Sequence, residues 1–163
     1  MTINAAYWTH GNIVSVEFPD RLEPFPEVGK AGSKKGFGTA FRGQGHSSNW
    51  FHFAIPTPVI LNEQRFPLQK IFVFYNAQRS WIRNVHIYDG SARIWSRDNL
   101  SLQGDHSRAI DSSNSWSIDP PITVRYGFGI SVGVEFSGFI DEPNPNTLFE
   151  IFFSAAGADF GTP

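Results

Sequence analysis

The chain contains no cysteine, so neither disulfides nor thiolate metal sites enter its stability or its chemistry. Charge is scarce: Asp, Glu, Lys and Arg make up 17% of 163 residues, and the formal net charge is −2. The only basic doublet is Lys34-Lys35, inside a glycine-rich stretch. Binding to nucleic acid through a charged surface is therefore not expected, and neither is attraction to an anionic membrane. No apolar run approaches the length of a membrane span. The opening residues, M-T-I-N-A-A-Y-W-T-H, lack the basic region and apolar run of a signal peptide. A cytoplasmic location is the expectation, with export by a route that needs no signal peptide as the alternative. Helical periodicity, internal repeats and linkers are also missing, so 1–163 reads as one domain.

What the chain does have is aromatic and turn-forming residues: sixteen Phe, five Trp, fifteen Gly and eleven Pro. That mixture predicts many short strands joined by tight turns. The strongest pattern is Ile122 to Phe136, where Ile122, Val124, Tyr126, Phe128, Ile130, Val132, Val134 and Phe136 alternate with small or polar residues. Strict period-two alternation means strand, with one face buried. A single strand of that length would run roughly 50 Å, longer than strands usually go. A bulge or break at Gly127 or Gly129 is therefore expected.

Other strands follow from the same reasoning. A first hairpin is predicted from Ala5–Thr9 and Ile13–Phe18, around His10-Gly11-Asn12. Gly29 to Gly45 reads as a glycine-rich hairpin or loop holding the strand Phe37–Phe41. A phosphate-cradling loop is the alternative there, but the residue order is wrong for one. Asn49–Ile55 alternates, with Phe51, Phe53 and Ile55 on one side and Trp50, His52 and Ala54 on the other. Lys70–Tyr75 is apolar on both faces, which places it mid-sheet. Asn76 to Ser80 reads as a turn, Trp81–Tyr88 as a strand, Asp89-Gly90 as a tight turn and Ala92–Trp95 as a short return strand. Ser96 to Asn114 reads as irregular, Leu148–Phe153 as a last strand and Ala155–Pro163 as a weakly polar tail. The whole predicts an all-β fold, an antiparallel β-sandwich of jelly-roll type, with a closed β-barrel as the alternative.

Gly129-Ile130-Ser131-Val132-Gly133 satisfies G-x-S-x-G, the pattern of the hydrolase nucleophile elbow. The elbow needs a sharp strand-to-helix turn, and here the match sits inside strand alternation, so it is accidental. The histidines His10, His46, His52, His86 and His106 form no H-x-H or H-E-x-x-H pair, and no metal or cofactor is expected. Asp141, Glu142, Asn144 and Asn146 offer oxygen atoms to Ca²⁺, but prolines separate them and the spacing is not that of an EF-hand.

Two candidate surfaces remain. Alternation puts Trp50 with His52 on one strand face, and Asn84 with His86 and Tyr88 on another. If both point the same way they form one polar, aromatic surface. Separately, Gly127, Gly129, Ser131 and Gly133 clear bulk from a patch bordered by Arg125 and Glu135, where a ligand or a neighbouring aromatic ring fits. The expected function is a non-catalytic, lectin-like binding module for a small polar ligand, a glycan first. A structural or self-assembling homo-oligomer, suggested by strands apolar on both faces and by Ala155-Ala156-Gly157-Ala158, is the alternative. A small enzyme with a histidine-based site is the third reading.

Overall fold

The computed structural model describes residues 2–57, 59–137 and 150–162. It is built almost wholly of antiparallel strands. In order these are β1 (Thr2–His10), β2 (Ser15–Val16), β3 (Leu22–Glu23), β4 (Gly32–Lys35), β5 (Gly38–Gly43) and β6 (Ser48–Ile55). They continue with β7 (Leu68–Asp89), β8 (Ala92–Arg97), β9 (Leu102–His106), β10 (Ser115–Ile122), β11 (Phe128–Phe136) and β12 (Glu150–Thr162). The acidic loop Asp141 to Asn146 lies outside the described residues.

The long strand β7 is the spine. Its first half, through Gln78, pairs with β12, and its second half, from Ser80, pairs with β11. Between them Arg79 takes a left-handed backbone conformation (φ 49°), which bends the strand and redirects its ladder. The polar run Asn76 to Ser80 is thus a bend within a continuous strand and not the expected turn. Polar side chains are tolerated there because Gln78 and Arg79 are exposed at the bend, and the Ser80 hydroxyl is bonded to the Glu150 carbonyl at 2.7 Å. Strands β8, β9 and β10 line the other edge of β7.

The hydrogen-bonded path runs β2-β6-β11-β7-β12-β5-β3, and its two end strands are not paired with each other. The curled sheet folds over itself into a sandwich. Phe51 and Phe53 on β6 meet Phe153 on β12, each at 5.3 Å between ring centroids, and Phe41 on β5 meets Phe51 at 4.8 Å. Val85, Ile87, Ile130, Val132, Ile151 and Ala156 complete this interior and are wholly buried. The antiparallel β-sandwich read from the alternation is the observed fold.

Several local expectations are corrected. β1 does not form a hairpin with the following segment but pairs along β12. Residues 11–13 make a 3₁₀ turn in which Gly11 lies against the Phe153 carbonyl, where a side chain would collide. Strand β9 occupies part of the polar stretch 96–114 and pairs with β7 on both sides of its bend. The segment Ala155 to Thr162 is no tail. It is the C-terminal part of β12, held between β1 and β7, with Ala156, Gly157 and Ala158 buried. Its small, uncharged residues serve internal packing, so they no longer motivate self-assembly.

The long alternating stretch does break, at 123–127. Tyr126, expected inside, is 78% exposed. The cause is Asp89, whose carboxylate accepts hydrogen bonds from the backbone N–H groups of Arg125, Tyr126 and Gly127 at 2.8, 2.9 and 3.2 Å. Burial works against the charge on Asp89, but these three donors outweigh it and its pKa is lowered. The folded loop feeds the chain into β11 at Phe128.

Candidate functional site

Strand β11 lies between β6 and β7, so both its edges are paired. Its outward residues are small: Gly129, Ser131 and Gly133, followed by Glu135. On the β6 side Ser131 faces His52 and Gly133 faces Trp50. On the β7 side Gly129 faces Tyr88, Ser131 faces His86 and Gly133 faces Asn84. Directly opposed residues in a ladder project from the same face. The polar, aromatic surface and the glycine patch are therefore one surface. Small residues form its floor, with Trp50 and His52 on one wall and Asn84, His86 and Tyr88 on the other. Arg125 is not part of it and lies in the 123–127 loop. Glu135 is at one end.

Side chains close over the floor unevenly. A methyl group added at Gly133 would come within 2.9 Å of Asn84 Oδ1 and 3.1 Å of a Trp50 ring carbon. Trp50 and Asn84 thus both crowd the space over Gly133, and any larger residue there would press on both. Gly129 is open, with only the Phe53 carbonyl near, at 3.5 Å. Two hollows result. One, about 450 Å³, lies among Ser48, Trp50, Arg83, Asn84, Asn99, Gly133 and Glu135. The other, about 530 Å³, is bordered by Ile13, Ser15, His52, Tyr88, Gly129 and Ser131.

Between the hollows stands His86. It is only 7% exposed, and its ring lies 4.9 Å from that of Trp50 and 6.4 Å from that of Tyr88. Its Nε2 shares a 2.7 Å hydrogen bond with Asp98, and Asn84 donates to the same carboxylate oxygen at 2.6 Å. These two bonds, that from His86 first, lower the Asp98 pKa to about 2. His86 is thus a buttress that orients Trp50 and Asp98. Across the floor, His52 shares a hydrogen bond through Nδ1 with Ser131 Oγ at 2.9 Å and through Nε2 with Glu17 at 3.0 Å. At the far end Arg83 donates to both Glu135 oxygens, at 2.8 and 3.4 Å, and also to Ser101 Oγ at 2.8 Å.

Four contributors escaped sequence reasoning: Glu17, Arg83, Asp98 and Asn99. For Asp98 a signal existed. Extending the hairpin through the Asp89-Gly90 turn brings residues 96 to 98 beside His86 and Asn84, beyond the return strand Ala92–Trp95 that the alternation alone marks. Arg83 falls where the β7–β11 register shifts between Gly133 and Val134, which simple alternation cannot follow. Glu17 carries no signal, being 35 positions from its partner His52. No group of three or more His, Asp or Glu among the described residues is arranged to hold a metal ion.

Residues 2–141 match a family of unknown function, DUF6623. The chain belongs to that family. No curated protein matches it in sequence. Among solved structures, the crystal structure of an exo-beta-1,3-galactanase from Phanerochaete chrysosporium with galactose is similar at 14% identity and a TM-score of 0.30. The alignment covers 93% of this chain but only 30% of the galactanase. At that level nothing about the activity of the DUF6623 chain follows from the likeness.

Proposed function

We propose that this DUF6623 chain is a non-catalytic binding module for a hydroxyl-rich ligand, a carbohydrate first, held on the outer face of β6, β11 and β7. The observation that carries this reading is Trp50, half-buried over Gly133 and surrounded by amide, guanidinium and carboxylate groups. An indole offers a large, rigid apolar area at little cost in side-chain entropy. The groups around it offer directed hydrogen bonds to hydroxyls. A glycan array, followed by tryptophan-fluorescence titration of the hits, tests the reading. Saturable binding that Trp50→Ala abolishes, with the fold retained, is the expected result. A blank array with unchanged fluorescence across a sugar panel removes it.

One observation favours a second reading, that of an esterase-type enzyme: the hydrogen-bonded sequence Ser131–His52–Glu17 has the order nucleophile, base, orienting acid. Against it, Ser131 lies mid-strand and is only 8% exposed. Strand β11 is laddered on both edges, so its N–H groups are engaged and not free to stabilise an oxyanion. Labelling of Ser131 by a fluorophosphonate, lost in His52→Ala, would favour the enzyme. An unlabelled protein leaves the binding reading in possession.

A further inference from the structure

Among the described residues, each Arg, His or carboxylate side chain that lines the two hollows has a hydrogen-bonded partner on the same face. Arg83 is held by Glu135, His86 by Asp98, and His52 by Glu17. The Glu135, Asp98 and Glu17 carboxylates disfavour an anionic ligand, and a cationic one would have to compete with Arg83, His86 and His52 for them. The neutral groups with hydrogen-bonding capacity are the Trp50 indole N–H, the carbonyl oxygen of Asn84, the Asn99 amide and the Tyr88 hydroxyl, beside the remaining lone pairs of the partly exposed carboxylates. Arg93, opposite Tyr88 on β8, projects from the same face and is exposed, and Arg125 lies in its loop; neither lines a hollow.

The face is also long. The hollow over Gly133 and the one over Gly129 are four residues apart on a single strand, about 13 Å at the usual rise per residue. The floor between them is small, being Ser131, and a wall aromatic serves each hollow: Trp50 at one end and Tyr88 at the other. A single small ring cannot touch both.

Resting on the binding reading above, we propose that the ligand is an uncharged, linear oligosaccharide of at least two or three units lying along β11, with one subsite at Trp50–Gly133 and a second at Tyr88–Gly129. The Trp50 subsite takes a single unit by itself. The Tyr88 subsite adds affinity only for chains long enough to reach it.

The test is calorimetric titration with neutral xylo-, gluco-, galacto- and manno-oligosaccharides of one to six units, beside oligogalacturonates of the same lengths. For one neutral series affinity should rise about tenfold or more from one to three units, the worth of one further good set of contacts, and then level off. It should be unchanged between about 0.05 and 0.5 M NaCl, where screening would weaken a charge-driven complex. Tyr88→Ala should flatten the length dependence, bringing the affinity for three units down towards that for one, and Tyr88→Phe, which keeps the packing, should lose part of the same gain. Equal affinity for one unit and three would overturn the extended site. Tighter, salt-sensitive binding of oligogalacturonates would overturn the uncharged ligand. In both cases the binding reading survives. No binding by any member of either series takes that reading away as well.

Discussion

Two tryptophans sit on two glycines, on the outer surfaces of opposite layers of the sandwich. Trp50 lies over Gly133 of β11, and Trp8 of β1 lies over Gly157 of β12, where an added methyl would collide with its ring. The device is the same and the surroundings are not. Around Trp50 stand Asn84, His86, Arg83 and Glu135, and a hollow opens beside it. Trp8 instead stacks on Phe72 at 4.9 Å with an interplanar angle of 24° and meets Phe74 edge-on at 5.3 Å. Lys70 lies over the Phe72 ring at 5.3 Å. Trp8 caps an apolar patch and leaves Phe72 buried, whereas Trp50 is a wall of a polar trench. A glycine under an indole is therefore not by itself a sign of a ligand. The groups with spare hydrogen-bonding capacity around it distinguish the two faces.

The comparison collapses if the shared interior fails. Val132 is fully buried between the layers, directly beneath the Trp50 face. Val132→Asp places an uncompensated charge there, at a cost of several kcal/mol, comparable with the whole stability of a domain. Loss of the cooperative thermal transition by circular dichroism is expected. A variant melting within a few degrees of the parent would show that β11 is not core.

Next in size, Gly157→Ala should destabilise by about 1–3 kcal/mol, the usual cost of overpacking, because Trp8 cannot move without leaving Phe72. Gly133→Ala should cost less, since its approaches of 2.9 and 3.1 Å to Asn84 and 3.1 Å to the Trp50 edge are longer than the 2.4 Å approach to Trp8 at Gly157. It should instead abolish sugar binding by displacing Asn84 and Trp50. Urea denaturation of both variants, with a binding titration of the second, sharpens the contrast. Equal losses of stability with binding retained would erase it.

The smallest effect is a difference in sign with pH. Asp98, on the Trp50 face, has its pKa lowered to about 2 from the ordinary 3.8 by His86 and then Asn84. Its ionised form stabilises the fold above the ordinary value, and that contribution is lost as pH falls through about 2. Asp159, between Ala6 and Lys70 on the Trp8 face, has its pKa raised by burial, with Lys70 opposing. A raised carboxyl pKa favours the folded state at low pH, and that advantage fades as pH rises from the ordinary value through the raised one. Between about pH 2 and 5, Asp98→Asn should therefore remove a stability that grows with pH, and Asp159→Asn one that shrinks with it. Denaturant midpoints of both variants across that range give the answer, and slopes that change in the same direction would contradict it.

Alternation along the chain was enough to determine the class of fold and the sidedness of each strand. Phe51, Phe53 and Ile55 had to share a face opposite Trp50 and His52, because successive side chains on a strand point to opposite sides. Which strands become neighbours was decided only by packing of the whole chain. Period two says nothing about whether β6 and β7 flank β11, and so nothing about whether His52 and His86 stand on either side of Ser131. Nor does local sequence separate a turn from a bend. Asn76 to Ser80 has the polarity of a turn, yet β7 runs through it because ladders on both edges hold the strand while Arg79 absorbs the change of direction. The same holds for Ala155 to Thr162, whose small residues look unstructured alone and become a central strand once β1 and β7 close around them. The side-chain pairs along the trench span 12 to 52 positions. Contacts that distant are set by register between strands, and register is a property of the folded sandwich.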